Sequence, residues 1–273
     1  MNKDRILITG SEGMLGSYID LGIRFTKQTL DITDFNAVTA TCLKYKPSVI
    51  VHLAGLTDLT LCEREPANAY YVNTIGTYYM ALAARVVGAK LVFLSTSGVF
   101  DGTKKDPYTE RDIPNPTNVY GHSKYLAEAA ITTLLDNYLI VRTSWLFGGG
   151  PTGDKKFVGK ILAQRKNVEI RAVTDRYGSP MYAKDLAKVL EKLIIENKRG
   201  VVHISGGIAT RYEIAQETLK LIGSYAKIIP VPSTDFINNY RSGVNESMLG
   251  SPYLRPWQEA LRDYLTTEWG TLE

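Results

Sequence analysis

The start of the chain constrains its fold most. Arg5-Ile-Leu-Ile-Thr9, a short apolar and β-branched run, passes without a spacer into Gly10-Ser-Glu-Gly13-Met-Leu-Gly16. Such a run bounded by glycine reads as a buried strand. Glycines directly behind it permit a tight turn and a close main-chain approach to a pyrophosphate, and a helix opening there would add amide protons and a positive dipole end. With 23 glycines in 273 residues, three at this spacing arise by chance about 0.16 times per chain. A plain structural turn is the alternative, and the position after the first strand favours the phosphate-binding reading.

Similar apolar runs follow at 48–53, 90–95 and 138–143. They are nearly continuous, as expected for parallel strands covered on both faces. Helical stretches lie between them at about 34–46, 66–88 and 118–135, and Asp34 is placed to cap the first. The alternation implies βαβ units and an α/β fold with a Rossmann-like, doubly wound parallel sheet. Beyond residue 146 come a glycine-rich loop at 148–153, a helix near 154–165 and a strand near 168–173. A helix near 183–197, a strand near 200–204 and helices near 210–222 and 256–267 follow. The expected division is a nucleotide-binding domain over 1–146 and a smaller α/β substrate-binding domain over 147–273, with parts of 168–204 returning to the first sheet.

Composition narrows the function classes. Lysine plus arginine less aspartate plus glutamate is 32 − 28 = +4, scattered without runs, which gives little support for nucleic-acid binding. No stretch approaches the roughly 18 uninterrupted apolar residues of a membrane helix. The charged start followed by only Ile6 to Thr9 is too short for a signal-peptide core, so a cytoplasmic location is expected. Cys42 and Cys62 form no C-x-x-C pair and the three histidines are far apart, so neither a metal site nor a disulfide framework is expected.

Two further stretches carry chemistry. In Tyr120-Gly-His-Ser-Lys124 the tyrosine and lysine share one helix face, so the ammonium can favour the phenolate. Chance yields about one such pair in a chain with 17 tyrosines, so the pair alone is weak. His122 between them reads as a surface histidine. Leu94-Ser-Thr96-Ser-Gly98 ends a strand, where parallel sheets bind ligands. Hydroxyls there are often turn formers. Together, however, Thr96, Tyr120 and Lys124 could surround one carbonyl. Asp31, 21 residues beyond Gly10, is either a helix cap or a ligand of a cofactor's adenosine half. The interval from Ser17 to Leu30 is short for a full helix plus a strand, so this half of the pocket reads as trimmed.

The G-x-x-G-x-x-G spacing is that of short-chain-type dehydrogenases, and the chain resembles the extended short-chain dehydrogenase/reductase superfamily. It most closely resembles the dTDP-4-dehydrorhamnose reductase family. The resemblance rests on Thr9 to Gly16, Leu30-Asp31-Ile-Thr-Asp34, Ser95 to Gly102 and Tyr120 to Lys124. Arg142-Thr143-Ser144-Trp145, Asp175 to Pro180 and Leu254-Arg-Pro256-Trp257 extend it over nearly the whole chain. It implies a nucleotide-linked 4-keto-6-deoxysugar as substrate and NADP(H) or NAD(H) as cofactor. NADPH is favoured by analogy with reductive biosynthesis, with Arg24 or Lys27 as the cation for a 2′-phosphate. Thr96 would hold the keto oxygen, Tyr120 would protonate it, and Lys124 would hold the nicotinamide ribose and tune the tyrosine. The cofactor would be lined by Gly10, Gly13, Met14, Leu15, Gly16, Asp31, Ile32, Leu53, Ala54 and Gly55. Thr57, Ser97, Trp145 and Arg241 would approach the substrate. Trp145 could equally be inter-domain packing, and Arg241 suits a diphosphate although a solvated arginine is the commoner fate. A homodimer is a further expectation.

The chain departs from the family at the substrate side. Ser97-Gly98 stands where the family has an aspartate and a tyrosine, Leu59-Thr60 where it has a valine-aspartate pair, Met181 for a threonine and Ser242 for a proline. Three functions therefore compete: a keto-sugar reductase, a 4-epimerase with tightly held NAD, and a non-catalytic cofactor-binding regulatory subunit. A dehydratase would carry an acidic pair after the threonine, which Ser97-Gly98 lacks.

Overall fold

A computed structural model describes residues 5–236 and 239–270. Six strands, β1 (Ile6–Thr9), β2 (Ile23–Phe25), β3 (Val49–His52), β4 (Lys90–Thr96), β5 (Tyr138–Thr143) and β6 (Gly200–His203), form one sheet in the order β6-β5-β4-β3-β1-β2. Every pairing in it is parallel.

Alternate residues of each strand face opposite layers, as the two-residue period requires. Ile6, Ile8, Val49, Val51, Leu139 and Val141 pack against the helix Ala183–Ile195. Leu7, Ile50, Leu91, Phe93 and Ile140 pack against Phe35–Tyr45, Gly76–Val87 and Val119–Leu134. The continuous apolar runs in the sequence are thus strands buried on both faces. A second layer holds Phe147, Tyr182, Ile214, Trp257, Leu261 and Tyr264, beside short paired strands such as Glu169–Val173 with Lys227–Val231.

The structure departs from the helices expected at the glycine loop and over 66–88. The glycine loop opens only a three-residue 3-10 turn, Gly16–Tyr18, because β2 begins at Ile23 and leaves no room for a helix. The expected helix over 66–88 is interrupted by a π-helical turn, Tyr71–Ile75, at a site contact. π-turns inside helices often mark functional positions. Among the described residues, no helix is long and apolar enough to cross a membrane.

Candidate active site

Gly10 adopts φ +70°, and a Cβ on it would lie 2.6 Å from Ala54 N. Only glycine fits there. The loop closes through Gly13 N donating to Gly10 O at 3.0 Å and Ser17 N donating to Gly13 O at 2.9 Å. Arg24 on β2 braces it, donating to the carbonyls of Ser11 at 2.8 Å, Gly16 at 3.0 Å and Ile19. A braced loop thus stands where a helix N-terminus was expected.

Met14 is half-buried, whereas the side chains of Leu15 and Ile32 belong to the two cores, so only their main chains can face a ligand. Asp31 is not the helix cap. Asp34 is, accepting from Ala37 N at 3.0 Å. The exposed Asp31 carboxylate accepts from Thr33 N at 2.9 Å and Thr33 Oγ1 at 2.7 Å, and these bonds hold its pKa below the ordinary value, with Lys27 helping.

Leu53, Ala54 and Gly55 extend from β3 and link the glycine loop to the lysine: a Cβ on Gly55 would lie 3.0 Å from Asn73 Oδ1 and 3.9 Å from Lys124 Nζ. Asn73, in the π-turn, clamps this segment. Its Oδ1 accepts from Leu56 N at 2.7 Å, and its Nδ2 donates to Leu56 O at 3.0 Å and Ser123 Oγ at 2.9 Å. Ser123 Oγ donates in turn to Tyr120 O at 2.8 Å. Behind the segment, the hydroxyl of Thr77 donates to Asn73 O, so it accepts from His52 Nε2, and His52 Nδ1 accepts from Thr9 Oγ1 at 2.7 Å. Burial, and then the nearby Lys124, push His52 down to about 3, and it stays neutral.

Thr96 ends β4, and Tyr120 and Lys124 lie in the first turns of Val119–Leu134, whose start Asn118 caps by accepting from Gly121 N at 2.8 Å. The Thr96 hydroxyl accepts from Gly98 N at 3.0 Å and lies near the Tyr120 phenol. Burial pushes Tyr120 up to about 12, against the Thr96 hydroxyl, which pulls it down. Lys124 is buried, its ammonium 3.9 Å from the centre of the Phe93 ring. Burial pushes it down to about 7, with Glu128 pulling it back up. Burial acts on both groups, raising the phenol and lowering the lysine.

Beneath them Glu128 is held by Arg142, with Nε to Oε1 at 3.0 Å and Nη2 to Oε2 at 2.6 Å, and by the Ser95 hydroxyl.

Of the remaining expected residues, Ser97 is turned away: it is buried, its hydroxyl donating to Ser144 Oγ at 3.0 Å behind the strand end. Thr57 is exposed on the loop after β3, and Arg241 is exposed with its carbonyl accepting from Asn118 Nδ2 at 2.9 Å. His122 lies at the surface against Tyr70 Oη, at 2.9 Å. Trp145 is half-buried at φ +33°, with the Arg211 guanidinium 3.6 Å from its ring centre. A Cβ on Gly178 would fall 2.2 Å from this indole. Sequence reasoning did not single out His52, Asn73 or Arg211. Asn73 alone left a signal, as an amide within a helical stretch.

The family model described as the RmlD substrate binding domain matches residues 4–268. A Bacillus subtilis spore coat polysaccharide biosynthesis protein, SpsK, is 34% identical over 96% of each chain. The dTDP-4-dehydrorhamnose reductase of Mycolicibacterium smegmatis is 30% identical over 95% of this chain and 84% of its own. The Bacillus anthracis dTDP-4-dehydrorhamnose reductase structure, in complex with NADP, superposes with a TM-score of 0.92 at 32% identity, covering 97% of this chain and 99% of that one. A Thermus thermophilus UDP-glucose 4-epimerase shares the fold, with a TM-score of 0.79 at 20% identity over 97% of this chain and 99% of its own. By sequence and architecture alike, the chain belongs to the dTDP-4-dehydrorhamnose reductase family.

Proposed function

We propose that the protein is an NADPH-dependent reductase of a nucleotide-linked 4-keto-6-deoxysugar. The observation that carries this reading is the placing of Thr96, at a parallel-strand end, beside Tyr120, one helical turn from a buried Lys124. A continuous surface runs from Gly10 past Ala54 and Gly55 to Lys124. It suits a dinucleotide, with the pyrophosphate on the loop amides, a ribose at Lys124 and an adenosine end near Asp31. Arg24 is committed to loop carbonyls, which makes Lys27 the freer cation for a 2′-phosphate. NADPH is further supported by the NADP bound to the Bacillus anthracis relative.

The cofactor supplies a hydride to the keto carbon. Thr96 orients the keto oxygen by hydrogen bonding, and Tyr120 gives it the phenolic proton as negative charge develops there. A phenol held near 12 is in the form needed to donate. The phenolate left behind needs a cation, and a lysine poised near 7 gains one by taking up a proton when ligand hydroxyls and phosphates surround it. His52 and Asn73 position the loop and the helix start without touching the reacting atoms.

The test follows reduced-nicotinamide absorbance with purified protein, NADPH or NADH, and freshly generated dTDP-4-keto-6-deoxysugar. Turnover is expected in the wild type, with a loss of about 100-fold or more in Tyr120→Phe while NADPH still binds. Turnover unaffected by Tyr120→Phe would refute the assignment. Cofactor that stays bound through purification without net oxidation would favour an epimerase.

A further inference from the structure

One acidic group at the site has no part in the chemistry of Thr96, Tyr120 and Lys124. Glu246 sits on a strap whose main chain is fixed on both sides. Its N–H donates to Tyr177 O at 2.8 Å, Asn245 Nδ2 donates to Lys105 O at 2.9 Å, and Ser247 and Met248 are buried. The side chain lies near the Trp145 indole and within the fields of Arg211 and Arg176. It is close enough to Tyr120 for its charge to act on the phenol.

Trp145 is itself locked. Its positive φ costs energy in any residue with a Cβ, and such strain persists only where surroundings enforce it. Here Arg211 covers one face, Gly178 leaves room for the ring, and Glu246 lies beside the indole. This is a preorganised wall. A carboxylate has about four acceptor positions, and one neighbouring indole N–H leaves capacity for more donors. Nearer Thr96, Ser97 is turned to Ser144 and Gly98 has no side chain, so neither supplies an acceptor there. An anionic ligand group would be repelled by Glu246, and an apolar one would leave it desolvated. A neutral hydroxyl satisfies it.

We infer that Glu246 is a specificity-determining residue whose carboxylate accepts a hydrogen bond from a ring hydroxyl of the sugar, while the keto oxygen meets Thr96 and Tyr120. This rests on the keto-sugar reading above. The experiment measures kcat and KM for wild type, Glu246→Gln and Glu246→Asp, on the parent keto-sugar and on analogues each lacking one ring hydroxyl. NADPH affinity is read separately by fluorescence.

Glu246→Gln is expected to raise KM about tenfold on the parent, with a smaller change in kcat and unchanged NADPH affinity. The penalty should disappear on the analogue that lacks the recognised hydroxyl. Glu246→Asp keeps the charge facing Arg211, and it decides alone if the glutamine variant does not fold; its expected rise is about threefold. Equal KM values, or one penalty common to every analogue, would overturn the inference. A wild type that reduces no keto-sugar overturns the reductase reading instead, and NADPH affinity shows whether the cofactor site survives it.

Discussion

Lys124 stores a pH-dependent cost that can be measured without substrate. Its pKa falls from 10.5 to about 7 on burial. At about 1.4 kcal/mol per pH unit, the fold is disfavoured by about 5 kcal/mol once both folded and unfolded chains carry the charge. Between these two values the unfolded chain holds the proton and the folded chain releases it, so wild-type stability climbs with pH. Lys124→Met keeps the stem and removes the charge. The variant should exceed wild type by about 4 kcal/mol at pH 7 and by about 2 kcal/mol at pH 9, converging near pH 10.5, with the ring contact to Phe93 subtracting a constant amount. Urea unfolding of both proteins by circular dichroism across this range, without cofactor, gives the difference directly, and groups common to both cancel. A gap constant to within about 0.5 kcal/mol would show that the lysine is charged in the folded protein and that burial does not govern it.

Three other changes test separate parts of the architecture. Because Lys124 regains its charge among ligand hydroxyls and phosphates, NADPH binding near pH 8 should take up protons; calorimetry in buffers of different ionisation enthalpy reads the number, and zero uptake contradicts it. Gly178→Ala should displace Trp145, destabilising by about 1–3 kcal/mol in thermal melts and raising the sugar KM more than the NADPH dissociation constant; an unchanged KM would place the indole outside the substrate site. Glu128→Ala leaves Arg142 buried without its partner and should cost about 3–5 kcal/mol, so a change in urea midpoint equivalent to less than about 1 kcal/mol would refute the pairing.

The strands and most helices were legible because burial on both faces writes continuous apolar runs, as at Tyr138–Thr143, and because caps such as Asp34 are local. The Thr96, Tyr120 and Lys124 grouping was legible for a related reason: each sits at the end of an element that could be read. Leu15 and Ile32 lie in the right segment, but core packing claims their side chains, and a neighbouring motif cannot show which way a side chain turns. Ser97 shows the same limit one residue from Thr96. Glu246 and Arg211 were invisible because only folding of the second layer brings them to Trp145. The short turn after Gly16 was foreshadowed by the cramped interval, but its brace by Arg24 is purely tertiary.

The return of β6 to the sheet also bears on how this architecture can be recombined. The Ala183–Ile195 helix covers one whole face of the strands that precede residue 146, and β6 hydrogen-bonds to β5. Cutting the chain after β5 would expose that face and leave β5 as a bare edge, a template for association between molecules. The tail is therefore not a detachable cassette. An exchange between relatives should preserve 183–203 with the N-terminal half and replace the segments on either side of it together, so that Trp145, Arg211 and Glu246 arrive as a set.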